Sequence, residues 1–277
     1  EERFAAHRCR AAGEKVIAGG LWAYFAEHAD VNAIFNAAMG SKAQAHIAGV
    51  LAAYDFSQFK VIGDIGGGRG HLLNAVLERV PTLNGVLFDL PHVVADKTGA
   101  DSPRMTRQAG DFFKDKLPVC DAYLVMEIIH DWSDTESIEI LKAIRQVAPS
   151  NATLLLIEEM IPDDPGPAWS KMLDIHMLAL IGGKQRTRRE YEVLFDAAGF
   201  SFKREIGTSM GVSILEAARS MDVPWRDAVI LTPNIRRNIK LAKCPSFGKS
   251  IFDYAPGSAG AKDYLALGQS VGAMRAT

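Results

Sequence analysis

An acid followed by glycine at every second position, Asp64-Ile65-Gly66-Gly67-Gly68-Arg69-Gly70, is the densest cluster of chemically suggestive residues in the chain. Glycines let a backbone turn sharply and come close to a ligand. A ligand-free turn between a strand and a helix is the plain alternative, but such a turn needs fewer glycines. The dinucleotide fingerprint G-x-G-x-x-G does not fit: its third glycine falls on His71 when counted from Gly66 and on Leu73 when counted from Gly68. An acid ahead of the loop repels phosphate but tolerates an ammonium or sulfonium group. Two further acids end apolar runs. Asp89 closes Gly85-Val86-Leu87-Phe88-Asp89, where a carboxylate can accept from both ribose hydroxyls, or else serve as a helix N-cap. Asp111, beside Phe112 and Phe113, suits an adenine amine with a ring stacked on the base. Together the three acids point to an adenosine ligand.

His130 adds a proton acceptor. It follows the apolar run Ala122 to Met126, at the carboxyl edge where α/β sheets place their ligands. Imidazole titrates in the range that general-base work requires. A histidine that only anchors a loop is the other reading. The three cysteines, Cys9, Cys120 and Cys244, lie far apart and form no C-x-x-C pair. No zinc site and no disulfide framework are therefore expected, and a reducing cytoplasmic setting is the simple reading.

These residues need a scaffold that brings strand ends together. Residues 3–53 read as helical, with apolar positions at three- and four-residue spacing. From Val61 the pattern changes to short apolar runs alternating with helices: Leu72 to Val80, Asp134 to Ala148, and Arg188 to Ala198 ending at Gly199. That alternation predicts an α/β fold with a mostly parallel sheet. The short link Gly207 to Gly211, between Phe200–Ile206 and Val212–Glu216, predicts an antiparallel hairpin at the sheet edge. The 277 residues carry a formal net charge of −2, which argues against a general nucleic-acid or membrane-surface binder. No apolar run is long enough to span a bilayer.

Five motifs occur in a family order: Asp64 to Gly70, Phe88-Asp-Leu-Pro91, Gly110-Asp-Phe-Phe113, His130-Asp-Trp-Ser-Asp134 and Gly182-Gly-Lys-Gln-Arg-Thr187. In this the chain resembles the plant and bacterial small-molecule O-methyltransferases, the group of caffeic acid and isoflavone O-methyltransferases and polyketide-tailoring relatives. The resemblance covers roughly residues 15–217. It implies a class I methyltransferase (Rossmann-like) fold with a seven-stranded sheet, preceded by helices. It also implies S-adenosylmethionine as cofactor, held by Asp64, Gly66, Gly68, Asp89, Leu90, Asp111 and Phe112. His130 would be the general base, flanked by Asp174 and Glu216, although each of these acids could instead be a solvated carboxylate. Asn36, Asp131 and Met177 would face the substrate, a small hydroxylated aromatic or polyketide-like molecule. Met126 stands where many relatives carry a lysine near the adenine.

On this reading residues 1–55 are the remnant of a helical dimerisation domain, 56–217 the catalytic domain and 218–277 an appendage. A homodimer would then be weakened by the missing helices. A nicotinamide oxidoreductase lacks support in the glycine loop. A catalytically silent scaffold or a decarboxylase-like relative remains the alternative. The tail resembles the C-terminal segment of ParA-type partition ATPases over Asn238–Gly248 and Asp253–Leu265, yet the chain has no P-loop. An Ile251-Phe252 strand and a helix from Ala259 to Met274 are expected there, either as a fusion scar or as a genuine extension.

Overall fold

The computed structural model describes residues 20–96, 101–220 and 250–274. The chain divides into two compact units, Glu1–Met221 and Asp222–Thr277. The described part of the first unit begins with helices α1 (Gly20–Glu27) and α2 (Ala29–Ala53), separated at His28 within the stretch that reads as helical. An alternating series follows: β1 (Val61–Ile65), α3 (His71–Arg79), β2 (Asn84–Asp89), α4 (Pro91–Val94), β3 (Met105–Ala109) and β4 (Ala122–Met126). A single 3-10 turn, Ile129–Asp131, then leads to α5 (Asp134–Val147), β5 (Thr153–Glu158), α6 (Trp169–Leu180) and α7 (Arg188–Ala198). β6 (Phe200–Gly207) and β7 (Ser213–Arg219) close the unit.

The seven strands form one sheet in the order β3-β2-β1-β4-β5-β7-β6. Strands β1 to β5 are parallel, and β7 runs antiparallel to both β5 and β6, as the sequence predicts. Strand order reverses between β1 and β4, which is where open α/β sheets leave a crevice for ligands.

Side-chain alternation builds a core on each face. On β4 and β5, Tyr123, Val125, Leu154 and Leu156 pack with Ile140 and Ile144 of α5 and Leu194 and Phe195 of α7. Their alternates Leu124, Leu155 and Ile157 pack on the other face with Leu73 and Val76 of α3 and Val50 of α2. The strands are thus buried on both sides, which is why they read as continuous apolar runs. Helices α5 and α7 start at capping boxes, Ser133 with Glu136 and Thr187 with Glu190. Gly199 ends α7 in the left-handed region at φ 81°.

β2 ends at Asp89 as expected, and Leu90 is the N-cap of α4, with Pro91 at its first turn. Two local expectations are corrected. Strand β7 continues past Glu216 to Arg219 because β6 still pairs with it there, Phe200 opposite Arg219. Ile251 and Phe252 are not a strand: Ser250 caps the Asp253 N–H and starts α8 (Ile251–Tyr254). In this second unit α8 is followed by α9 (Ala259–Met274), and Ile251 and Ala261 are buried together. The tail segment Asn238–Gly248 lies outside the described residues, as do residues 3–19. No helix among the described residues is long and apolar enough to cross a membrane.

Candidate active site

A cavity of about 660 Å³ lies at the carboxyl ends of β1 to β4, walled by α2 and α6. The glycine loop lines one end. Gly66, Gly68 and Gly70 all have positive φ, 72°, 59° and 79°. A Cβ on Gly66 would come within 2.7 Å of Ile128, whereas one on Gly68 would meet nothing within 4 Å. The backbone at Gly68 therefore faces open cavity, and a ligand can come against it.

Asp89 and the loop are joined. Its Oδ2 accepts the Gly68 N–H at 2.8 Å and its Oδ1 accepts the Leu90 N–H at 2.7 Å. Burial pushes the Asp89 pKa up, while these two N–H groups oppose the rise. Each oxygen keeps a lone pair for a ligand hydroxyl. Asp64 is only 1% exposed, and its Oδ2 has no hydrogen-bond partner. Burial, with the Asp89 charge adding to it, lifts Asp64 to about 7. A buried carboxyl with one orphaned oxygen beside a second acid fits a cation such as an ammonium, which would satisfy the free oxygen and offset the repulsion.

Asp111 also reaches the cavity wall, but both its oxygens are engaged, Oδ1 by the Phe113 N–H and Oδ2 by Lys114 Nζ. Burial works against its ionised form, and the Lys114 contact and the Phe113 N–H outweigh it, holding the carboxyl below its ordinary value. Phe112 and Phe113 meet Trp132 edge-on at 5.7 and 4.8 Å, so three rings close this end.

His130 sits on the 3-10 turn past β4, only 6% exposed. Its Nδ1 lies 2.7 Å from Glu158 Oε2, and its Nε2 lies 3.3 Å from Asp131 Oδ1. The other Glu158 oxygen accepts the Ile129 N–H at 2.9 Å, so one carboxylate holds both the ring and its turn. Burial opposes the charged imidazole, but the Glu158 and Asp131 carboxylates prevail and raise it to about 9. Burial in turn lifts Asp131 to about 6 against the opposing pull of His130.

The segment after α6 braces this turn. Lys184 N–H donates to the His130 carbonyl at 2.7 Å, and a Cβ on Gly183 would sit 2.2 Å from that same oxygen. Arg186 is fully buried and donates to the carbonyls of Ile129 at 3.0 Å and Trp132 at 2.8 Å, with Asp134 as its ion partner.

The two acids expected beside His130 are not on its ring. Asp174 Oδ1 instead accepts the Gln185 N–H at 2.8 Å, and Glu216 pairs with Arg204 at 2.9 Å across the β6–β7 hairpin. Register explains Glu216. Strand β7 lies beyond β5 in the sheet, and Glu216 is opposite Leu155, three residues short of the carboxyl end where Glu158 reaches His130. The acid that does reach it, Glu158, was open to the reading applied to Asp64 and Asp89, since it too ends an apolar strand. Asn36, Asp131 and Met177 all line the cavity, and Asn36 Nδ2 is buried without a partner. Met126 also lines it.

The family profile of the O-methyltransferase domain matches residues 5–201. Phenazine O-methyltransferase PhzM of Lysobacter antibioticus is 39% identical over 209 residues, 74% of this chain and 61% of that protein. The chain spans about three fifths of the length of the curated relatives it matches. Among solved structures, CalO1, a methyltransferase in calicheamicin biosynthesis in its SAH-bound form, superposes with a TM-score of 0.67 at 34% identity, covering 78% of this chain and 67% of that one. The O-methyltransferase NcsB1 of neocarzinostatin biosynthesis, in complex with S-adenosyl-L-homocysteine and 1,4-dihydroxy-2-naphthoic acid, gives 0.68 at 28% identity over the same shares.

Proposed function

The chain belongs to the O-methyltransferase domain family, and we propose that it transfers the methyl group of S-adenosylmethionine to a phenolic hydroxyl of a small aromatic or polyketide-like molecule. The observation that carries this reading is one cavity holding both halves of the chemistry. At one end is an acid-and-glycine cradle with an orphaned carboxyl, and at the other a histidine braced by a buried carboxylate.

Asp89 would take the ribose hydroxyls, and Asp64 the amino group, of the cofactor, with the Phe112, Phe113 and Trp132 rings around the adenine. When bound, the cofactor supplies a methyl group on a sulfonium. His130 would accept the acceptor's hydroxyl proton at Nε2 while Glu158 keeps Nδ1–H fixed and steadies the resulting imidazolium. A base near 9 is close to a phenol near ~10, so the proton transfer is almost balanced. Asn36 Nδ2 offers a free donor for a second oxygen of the acceptor. The NcsB1 complex shows a dihydroxynaphthoic acid bound to a related protein, which supports an aromatic acceptor here.

The test is calorimetry with S-adenosylhomocysteine on the wild type and on Asp89→Ala, followed by a phenol panel read by mass spectrometry. Stranding the ribose hydroxyls should weaken binding by about 1–3 kcal/mol. Unchanged affinity in folded Asp89→Ala, or no methylated product from any phenol, would count against the assignment.

A further inference from the structure

Between the end of β4 and the turn that carries His130 stands Glu127, the one non-glycine residue with positive φ among those described, at 53°. Left-handed backbone at such a residue is strained and persists only where its surroundings hold it. Its N–H donates to the Ile157 carbonyl at 2.9 Å, which continues the β4–β5 ladder one step past the strand. Its carboxylate turns the other way, to α2. Lys42 Nζ is 2.5 Å from Oε1 and His46 Nδ1 is 3.3 Å from Oε2. Lys42 and His46 are four residues apart and so share one face of that helix. The same helix brings Asn36, Met39 and Ala43 to the cavity wall. Burial works against the ionised carboxylate, but His46 and Lys42 overcome it and hold Glu127 at about 2. The Glu127 carboxylate is therefore ionised at any working pH.

We propose that Glu127 is a positioning residue for the transfer reaction: Lys42 and His46 hold its carboxylate and thereby fix the left-handed link from which His130 is hung, so that the helix walling the cavity also aims the base. This rests on the reading of His130 as the group that takes the acceptor's proton. Glu127 does not touch the reacting atoms in this scheme; it acts through the turn. It also adds negative charge to the ring's surroundings. The charged and titratable groups there are Lys42 and His46 from α2, Glu127 past β4, Asp131 on the turn, and Glu158 and Glu159 at the end of β5. Among them the Glu127 charge raises the His130 pKa.

The experiment compares Glu127→Gln, Glu127→Gly, Lys42→Met and Lys42→Arg in the full chain. It reads kcat, KM and the pH profile on a neutral phenol, with S-adenosylhomocysteine affinity and melting temperature as controls. Misplacing a base by about 1 Å costs ~10²-fold, so Glu127→Gln should lower kcat by about that factor with cofactor affinity unchanged. Loss of its charge should also move the rise of kcat/KM with pH to lower pH. Glu127→Gly frees the backbone and should melt no lower than wild type, yet show the same kcat loss. Lys42→Arg should recover about tenfold over Lys42→Met, because a guanidinium can still reach the carboxylate. Wild-type kcat and an unmoved profile in Glu127→Gly, or losses in melting temperature alone across the series, would overturn the proposal. Wild-type turnover in His130→Ala would instead overturn the reading of the base, and this proposal with it.

Discussion

His130 can take a proton only when one ring nitrogen is free of one, and both its nitrogens face carboxylates. The consequence for pH has a definite sign. Its folded pKa of about 9 lies above the ordinary ~6.5. The stability this gives the fold is complete below ~6.5 and is lost as pH rises through about 9. Activity runs the other way on the proposed role of the neutral ring as base: kcat/KM on a neutral phenol should climb with pH until about 9. Glu158→Gln removes the largest source of that elevation and should shift the climb to lower pH while reducing kcat. A profile that does not move would show that Glu158 leaves the base untouched. Asp64 gives a second pH-dependent prediction. Held at about 7 by burial and by Asp89, it is partly protonated in the ligand-free protein at neutral pH. An ammonium against its orphaned oxygen would ionise it, so S-adenosylhomocysteine binding should release a proton and tighten as pH rises from 5 toward 7. Calorimetry in two buffers of different ionisation heat reads that proton directly. Identical heats in both buffers would rule Asp64 out as the ammonium's partner.

At the scale of elements, the site depends on one backbone crossing. The link after α6 passes so close to the turn that carries His130 that Gly183 has no room for a side chain beside the His130 carbonyl. Gly183→Ala should therefore displace the turn, lowering both melting temperature and kcat, the latter by about 10²-fold. Gly68→Ala is the contrast: its Cβ meets no protein atom within 4 Å, so the damage should fall on cofactor affinity. Equal effects of the two variants on kcat and on affinity would show that the crossing has no special part in aiming the base. What was legible in the sequence follows the same division. The glycine loop and the strand-end acids Asp64 and Asp89 could be read because their chemistry is local: an apolar run, an acid, then a turn. The partners of His130 could not be read that way. Glu158 is 28 residues from His130, and their meeting depends on the parallel register that sets Met126 beside Ile157. Lys42 is 85 residues from Glu127, and nothing in an Ala-rich helix marks which turn will face a strand end. Asp174 reads as a partner because an acid in an apolar helix needs one; it has one, a backbone N–H of the link toward Arg186 rather than the imidazole.

For the whole molecule, the question is how much of the chain this site requires. Among the described residues, both hydrophobic clusters of the sheet reach no further than Ala217, and β7, the last described strand, ends at Arg219. Among the described residues, those that line the cavity run from Leu21 to Ile181. The division into units falls just beyond, after Met221. In the second unit the described buried cluster is Ile251 and Ala261 with Tyr254 and Ala255 against them, much smaller than either core of the sheet. Apolar burial stabilises by about 25 cal/mol per Å², so so small a cluster contributes little beside those cores. Truncation after Met221 should accordingly leave a folded protein. Its thermal transition should stay cooperative and within a few degrees of the full chain, a shift of about 1 kcal/mol or less. S-adenosylhomocysteine affinity should be unchanged, since Asp64, Gly68 and Asp89 lie in the retained unit. Circular dichroism melting and calorimetry on the truncated protein read both. If it unfolds, residues 222–277 contribute to the fold of the first unit; if it folds but no longer binds, they contribute to the cofactor site.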